Sequence, residues 1–299
     1  MNSLTSANFW IKTIGYTLYK EGRKYLRSLK YTSNFCNVLL AGFGLKNNRH
    51  IVMRNGLSLR YGDLYWGLVN LKAMRGELYL KNGRLQVHLP RYKLNFYLTH
   101  INDLFIIGEV FGDELYRPLS VSLKGGVVVD IGSFIGISPA YFALLGAKVF
   151  AYEPLPLHYN YARINLEINN LSNRVMLTKA AVGGAKGKVS VPLNYCNYSY
   201  SVLSRDIHEA ERKPFEIIDV LTLSDVIDLH NLDVIDLLKM DCEGCENEVF
   251  KNLKNETLKK IKEIVLEYHS EPKTVVETLR KAGFVCVKLK HTIRARRPS

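Results

Sequence analysis

The sequence predicts an α/β protein, a doubly wound Rossmann-like sheet preceded by a small basic α+β region. Three observations carry this. From residue 126 onward, short apolar runs alternate with amphipathic stretches of helical period, the rhythm of a parallel sheet wrapped by helices. The first run, "VVVDI" at 127–131, ends on a single acid and hands over to the glycine-punctuated turn "GSFIG" at 132–136, as a buried parallel strand does before its helix. Residues 1–100 hold 16 Lys and Arg against three acids, Glu21, Asp63 and Glu77, whereas residues 101–299 hold 25 of each sign. The net charge of +13 therefore belongs to the first third. We divide the chain into a basic N-terminal region, 1–100, and a ligand-binding α/β domain, 101–299.

Taken in order, residues 8–33 place aromatics and aliphatics at helical spacing with Lys and Arg between them. That is a basic amphipathic helix, suited either to an anionic membrane surface or to packing on the domain behind it. Two hairpins follow. "HIVMRNGLSLRY" and "ELYLKNGRLQVHL" each set Asn-Gly, at Asn55-Gly56 and Asn82-Gly83, between alternating strands, and Asn-Gly supplies the positive φ angles of a type I′ turn. A helix is expected over 102–116. Strands are expected at 127–131, 148–152, 174–180, 234–240, 262–268 and 284–290. Helices are expected at 137–146, 156–170, 221–229, 245–260 and 273–282. The interval 184–218 is longer than an ordinary connection and carries the cluster "NYCNYSYS" at 194–201. Long insertions near strand ends shape substrate sites.

Composition narrows the class. With 47% hydrophobic and 23% charged residues, the chain can bury an ordinary globular core. No run approaches the ~20 apolar residues that cross a bilayer, and the N-terminus lacks the charged, apolar and cleavage segments of a signal peptide. The expectation is a cytoplasmic protein. Five scattered cysteines do not resemble a secreted disulfide framework. Cys242 and Cys245 have redox or zinc-knuckle spacing, but no second pair accompanies them. They are read as small space-fillers.

The turn after the first strand decides the ligand. A P-loop needs Gly-Lys-Ser/Thr at the helix start, and here Gly136 precedes Ile137-Ser138. A dinucleotide turn wants G-x-G-x-x-G so that backbone can approach a pyrophosphate. Here Phe134 takes the middle glycine's place. S-adenosyl-L-methionine has no phosphate, and it asks for a carboxylate at the first strand end, Asp130, near its cationic part. The second strand, "KVFAYEP", ends in Glu153, placed to accept hydrogen bonds from ribose hydroxyls.

These segments together resemble the FkbM-type family of class I S-adenosylmethionine-dependent methyltransferases. "VVVDIGSFIG", "VFAYEPLP", "KAAVGG", "DLLKMDCEGCENEVF" and "IVLEYH" fall in the family's order between the expected elements. The resemblance spans roughly residues 100–290. It implies O-methylation of a sugar or polyketide hydroxyl. By the same resemblance Asp130, Gly132, Ser133 and Gly136 belong to the cofactor loop, Glu153 to the ribose, and Ala181 and Val182 to the adenine. Asp241, Glu243, Gly244 and Glu246 match the signature Asp-x-Glu-Gly-x-Glu. The family usually has Ala-Asn where this chain has Ser133-Phe134. It also has a seventh strand, which the basic tail "HTIRARRPS" leaves short or absent.

Methyl transfer from a sulfonium is an in-line displacement in which the protein supplies position and, for a hydroxyl acceptor, a base. Alternation along "DLLKMD" puts Leu237, Lys239 and Asp241 on one side of the strand and Leu238 and Met240 on the other. Asp241 is expected to orient the acceptor. His269, an imidazole that titrates near neutrality, is expected to be the base. A metal at Asp241, Glu267 and His269 is considered and not adopted. The expected partner is a hydroxyl-bearing carbohydrate or glycolipid, with peripheral contact to anionic membrane through residues 1–33. RNA methylation through the basic region and a non-catalytic cofactor-binding or membrane-docking module are the alternatives. Nucleic acid is disfavoured by the acidic "DCEG" after the fourth strand.

Overall fold

The computed structural model describes residues 74–193 and 214–298, with the backbone of two short strands at 50–52 and 58–60. The expected basic helix at 8–33 and the Tyr/Asn/Ser cluster at 194–201 lie outside the described residues.

Strands β1 (His50–Val52) and β2 (Ser58–Arg60) pair antiparallel, as the first hairpin predicts; its turn lies outside the described residues. Strands β3 (Glu77–Lys81) and β4 (Arg84–Leu89) join through a two-residue turn in which Asn82 and Gly83 take φ of 52° and 73°, both left-handed as a type I′ turn demands. A third strand, β5 (Leu94–Tyr97), completes this small sheet and was not anticipated. The free edge of β5 is closed by two asparagines. Tyr97 N–H donates to Asn165 Oδ1 at 2.7 Å and Asn165 Nδ2 donates to Tyr97 O at 3.0 Å, while Asn169 does the same for Asn95. Side-chain amides thus replace the missing neighbouring strand. The helix expected over 102–116 is shorter: α1 (Asp103–Ile107) continues as one π-helical turn over Gly108–Gly112.

The α/β domain follows its predicted rhythm closely. It contains β6 (Val127–Ile131), α2 (Ile137–Leu144), β7 (Lys148–Tyr152), α3 (Pro156–Ile168) and β8 (Val175–Thr178). Next come β9 (Ala181–Val182), β10 (Gly187–Pro192) and β11 (Phe215–Leu221), which form a separate three-stranded sheet. The long interval at 184–218 thus contains β10 and the start of β11, which pair antiparallel. Then follow α4 (Leu223–Leu229), whose Thr222–Asp225 capping box fixes its start, and β12 (Ile235–Met240). The single helix expected at 245–260 is two, α5 (Glu246–Asn252) and α6 (Asn255–Lys259), broken where Leu253 and Lys254 turn extended. Strand β13 (Ile261–Glu267), α7 (Lys273–Lys281), β14 (Val285–Leu289) and β15 (Thr292–Arg296) end the domain.

Strand β15 corrects the expectation that the seventh strand is short or absent. It is formed by the "basic tail" and inserts antiparallel between β13 and β14, giving the order β14-β15-β13-β12-β6-β7-β8. Ile293 and Ala295 point into the core, fully buried. Arg294 faces the other way and donates to the carbonyls of Leu115 and Arg117, 2.7 Å each. Alternation, not charge, was the informative signal there.

Strands β6, β7, β8, β12 and β13 run parallel, and their alternate side chains feed two cores. Val128, Val149, Ala151, Leu237 and Val265 join α2, α3 and the β3–β5 sheet on one face. Val129, Ile131, Phe150, Leu238, Met240 and Ile264 join α4 to α7 on the other. The chain leaves β6 toward β7 and β8, then crosses back to β12 on the opposite side. The carboxyl ends of β6 and β12 thus mark a topological switch point, where such sheets bind ligands.

Candidate active site

A cavity of about 410 Å³ opens at this switch point, within the range that accommodates a small-molecule ligand. One wall is the turn after β6. Gly132 and Ser133 both donate to Tyr152 O at 3.0 Å, which locks the turn to β7. Gly132 has φ of 79°, and a Cβ there would stand 1.7 Å from Asp241 O. Only glycine lets the turns after β6 and β12 meet. Phe134 also adopts a left-handed φ, 51°, where a non-glycine residue carries strain. It is held there by its N–H, which donates to Glu153 Oε2 at 2.9 Å, and by its ring, edge-on to His158 at 4.5 Å.

Glu153 is buried at the end of β7, with Oε1 accepting from Leu155 N–H at 2.9 Å. Its two oxygens therefore clasp both turns, and each retains a lone pair for a ligand. Ala181 and Val182 supply a small apolar wall from β9, and Ser133 lines the cavity as well. The other predicted loop residues are placed differently. Gly136 lies against Ala162 at the start of α2, and Asp130 lies beneath the floor, wholly buried; neither lines the cavity. Asp130 accepts from Ser138 Oγ at 2.7 Å and pairs with Lys239 Nζ at 3.1 Å. Asp130 thus anchors a buried lysine under the site.

Lys239 is that lysine. Its Nζ also donates to Gly132 O at 2.6 Å and lies 3.9 Å from Asp241 Oδ2. Burial opposes its charge, but the Asp130 and Asp241 carboxylates hold its pKa above the ordinary lysine value. Asp241 follows β12 as the alternation predicts and faces the cavity. Tyr116 OH donates to Asp241 Oδ2 at 3.0 Å and reaches Glu267 Oε2 at 3.4 Å. Burial, then the Asp241 and Glu267 charges, keep this phenol well above its ordinary pKa, so it is a donor throughout.

His269 closes the group after β13. Its Nε2 lies 3.2 Å from Glu243 Oε2 and 3.8 Å from Asp241 Oδ1; its Nδ1 lies 3.1 Å from Glu246 Oε1. Burial lowers its pKa, but the Glu246 hydrogen bond and the Glu243, Glu246 and Asp241 charges outweigh that and raise it to about 9. The surrounding carboxylates thus favour the imidazolium form of His269 over the near-neutral titration of an unperturbed imidazole. The poised groups are carboxyls. Burial and the neighbouring carboxylates lift Glu243 to about 7 against the opposing charge of His269. Glu109, on the π-helical turn, also rises to about 7 through desolvation and the charges of Glu267, Asp241 and Asp113. Burial and Asp241 raise Glu267. Among the described residues, Asp241, Glu243 and His269 bring one ligand atom each within 4.8 Å of one another.

Sequence reasoning missed Glu109 and Tyr116, which reach the site from before β6. It also misread Cys242 and Cys245. They are not separate space-fillers but a disulfide across the turn that carries Glu243, and both line the cavity.

The residues present suit S-adenosyl-L-methionine. Ser133 Oγ and His158 Nε2 line the cavity, buried and without a protein hydrogen-bond partner. Buried polar atoms are rarely left so unless something else satisfies them. Ala181 and Val182 line the same cavity, as do the carboxylates of Asp241, Glu243 and Glu267, which favour a cationic ligand centre.

Comparison with known proteins agrees. The methyltransferase FkbM domain matches residues 130–286. Methyltransferase sdnD of Sordaria araneosa is 26% identical over 206 residues, covering 58% of this chain and 78% of its own length. Methyltransferase 1 of Beauveria bassiana is 26% identical over 187 residues, covering 54% and 72%. Among solved structures, a human methyltransferase 10 domain containing protein aligns with 64% of this chain and 78% of its own, at 19% identity and a TM-score of 0.36. The N-terminal domain of human METTL16 in complex with SAH covers 83% and 86%, at 16% identity and a TM-score of 0.39. The family match spans more than half of the chain and takes in the glycine turn, Glu153, Asp241 and His269: this protein belongs to the FkbM methyltransferase family and is an S-adenosylmethionine-dependent methyltransferase.

Proposed function

We propose that the protein methylates a hydroxyl of a sugar, glycan or lipid-linked acceptor. The observation that carries this reading is the group Asp241, Glu243, Glu267 and His269 at one end of the cavity lined by the glycine turn. Carboxylates accept hydrogen bonds from neighbouring hydroxyls, and a hydroxyl attacks well only if its proton leaves as the new bond forms. A polyanion such as RNA would meet this acidic end unfavourably.

The cofactor, when bound, supplies a methyl group activated by its sulfonium. Glu153 would hold its ribose hydroxyls, Ala181 and Val182 its adenine, and Gly132 and Ser133 its amino-acid portion. Asp241, with Oδ2 fixed by Tyr116, offers Oδ1 to orient the acceptor hydroxyl. The proton passes to the Glu243–His269 pair, with Glu243 the accepting carboxylate while His269 is protonated. The pair titrates as a unit. Its imidazolium keeps Glu243 oriented and limits the build-up of negative charge. Lys239, one layer below, offsets the charge of Asp241. The basic N-terminal region, residues 1–33 above all, would bring the enzyme to an anionic membrane. Among the described residues no helix is long and apolar enough to cross one.

Calorimetric titration with S-adenosyl-L-methionine and, separately, NADH tests the cofactor site, using the wild type and Glu153→Ala. Saturable binding of the first ligand alone, weakened at least tenfold by the substitution, is expected. Equal binding by the variant removes Glu153 from the site. Transfer of labelled methyl to saccharide or glycolipid acceptors, and not to RNA, is the expected result of an acceptor screen. Transfer to RNA alone overturns the acceptor class.

A further inference from the structure

We propose that the Cys242–Cys245 disulfide is a redox site. It would exchange with a cellular dithiol and, through the turn it closes, set the position of Glu243. The proposal rests on the role given above to Glu243 only for its catalytic consequence; the redox chemistry stands apart from it.

The bond joins cysteines three residues apart, Cα–Cα 5.6 Å, at the end of β12. It encloses only Glu243 and Gly244, and both are left-handed, with φ of 55° and 110°. Glycine tolerates that conformation; glutamate adopts it only under strain. Between the two cysteines, then, the chain is held in a shape it would not readily choose. The product of that shape is the placement of the Glu243 carboxylate 3.2 Å from His269 Nε2. One buried acceptor reads the same turn. Glu246 Oε1 takes N–H bonds from Cys242 and Gly244, 3.3 Å each, and is the atom facing His269 Nδ1. A change in the turn therefore reaches both nitrogens of the histidine.

The two sulfurs are not equivalent. Both line the cavity, but Cys245 is 2% exposed, at the start of α5 and inside the second core, whereas Cys242 is only partly covered. Exchange needs in-line access of a thiolate to one sulfur, so Cys242 Sγ is the atom attacked. A thiolate of the incoming dithiol bonds to Cys242 Sγ, the Cys242–Cys245 bond breaks, and the electron pair leaves on Cys245 Sγ, which takes a proton. The reductant's second thiolate then attacks its own sulfur in the mixed disulfide and expels Cys242, which is protonated in turn. Two electrons and two protons have moved to the protein, and the reductant departs as a disulfide.

Cys242 Sγ stands 3.4 Å from Glu246 Oε1, an acceptor that the Cys242 thiol can use once the bond has opened.

The test uses the full-length protein equilibrated in mixtures of reduced and oxidised dithiothreitol. Free thiols are trapped with an alkylating reagent and located by peptide mass spectrometry, so that Cys36, Cys196 and Cys286 are read separately. Amide hydrogen exchange at residues 242–246 and calorimetric affinity for S-adenosyl-L-methionine are measured on the fully oxidised and fully reduced protein. Cys242 and Cys245 should titrate together as one two-electron couple in the folded protein. Reduction should speed exchange at Cys242 and Gly244 at least tenfold and weaken the cofactor about two- to tenfold, the scale of re-ordering a short wall segment. Cys242→Ser with Cys245→Ser should behave as the reduced form whatever the dithiothreitol ratio. A bond that survives excess dithiothreitol in the folded protein is a fixed staple, and thiols that never pair under oxidising conditions are no site at all; either overturns the proposal, as does exchange at 242–246 indifferent to redox state. Absence of cofactor binding in both forms would count against the methyltransferase site while leaving the thiol titration and the exchange rates to decide the switch.

Discussion

Lys239 Nζ lies 3.1 Å from Asp130 Oδ1, and the two residues are direct partners on adjacent parallel strands, β12 and β6, at the point where the sheet changes direction. The pair is wholly enclosed. Lys239 also donates to Gly132 O in the cofactor turn and approaches Asp241 in the acceptor group. One ammonium thus ties together the floor, the glycine turn and the carboxylate proposed to orient the acceptor. Excluding water makes such a pair rigid, and the cost of breaking it follows from the charge left unpaired.

Lys239→Met should therefore destabilise the protein by about 3–5 kcal/mol, the range for stripping one partner from a buried pair. Lys239→Met with Asp130→Asn should recover part of that, since no lone charge remains. Urea midpoints measure both. A double variant no better than the single one would mean that the lysine acts through packing and not through its charge.

The pH dependence of stability follows from two groups with raised pKa values. Glu243 rises from 4.5 to about 7 and His269 from 6.5 to about 9. For both, the folded state holds the proton more tightly than the unfolded chain does. Their contribution is complete below the unfolded value and fades as pH climbs through the folded one. Stability should decline from about pH 4.5 to 7 through Glu243, and from about 6.5 to 9 through His269. His269→Gln should flatten the upper window in thermal melts. A wild-type melting temperature that holds level or climbs between pH 6.5 and 9 would contradict a protonated His269.

What could be read from sequence followed the periodicity of the core. The strands β6, β7 and β12 lie where apolar runs put them, because a strand buried on both faces has little freedom in composition. Strand β15 was hidden because its outward side chains are arginines; only Ile293 and Ala295 carried the pattern. Glu153 and Asp241 were legible because each directly follows the carboxyl end of a parallel strand, β7 and β12. Tyr116 and Glu109 were not. They enter from a segment whose only sequence signal is an apolar helix, and topology alone brings them to Asp241. The raised pKa of His269 is likewise a property of three carboxylates, Asp241 and Glu243 from the turn after β12 and Glu246 from α5, and residue type alone does not disclose it.

The charge imbalance of the first third makes a separate prediction. If residues 1–33 dock on anionic lipid, the full chain should co-sediment with vesicles containing phosphatidylserine, and only weakly with phosphatidylcholine vesicles. Binding should fall steeply with salt, because attraction to surface charge is screened within about 8–10 Å at physiological ionic strength. Deleting residues 1–33 should abolish it. Undiminished binding by the truncated protein would move the membrane contact elsewhere.

Tyr116 gives the most direct route to the role of Asp241. Its hydroxyl donates to Asp241 Oδ2 at 3.0 Å and approaches Glu267 Oε2 at 3.4 Å, and its ring lies against the Lys239 ammonium at 5.1 Å. Tyr116→Phe keeps the ring, and with it the packing and the cation–π contact, and removes only the donor. Hydrogen bonds to charged groups contribute about 1.5–3 kcal/mol, so a loss of that order in urea unfolding is expected. The two carboxylates would then repel one another without a bridging proton donor. The acid limb of the pH–rate profile should move to higher pH, since Glu267, whose pKa the Tyr116 hydrogen bond lowers, would hold its proton more tightly without that donor. A variant with lowered kcat, little change in KM for the cofactor and a shifted acid limb would identify Tyr116 as the residue that positions Asp241. A stability loss with an unshifted profile would confine Tyr116 to packing, and would return the orienting role of Asp241 to Lys239 alone.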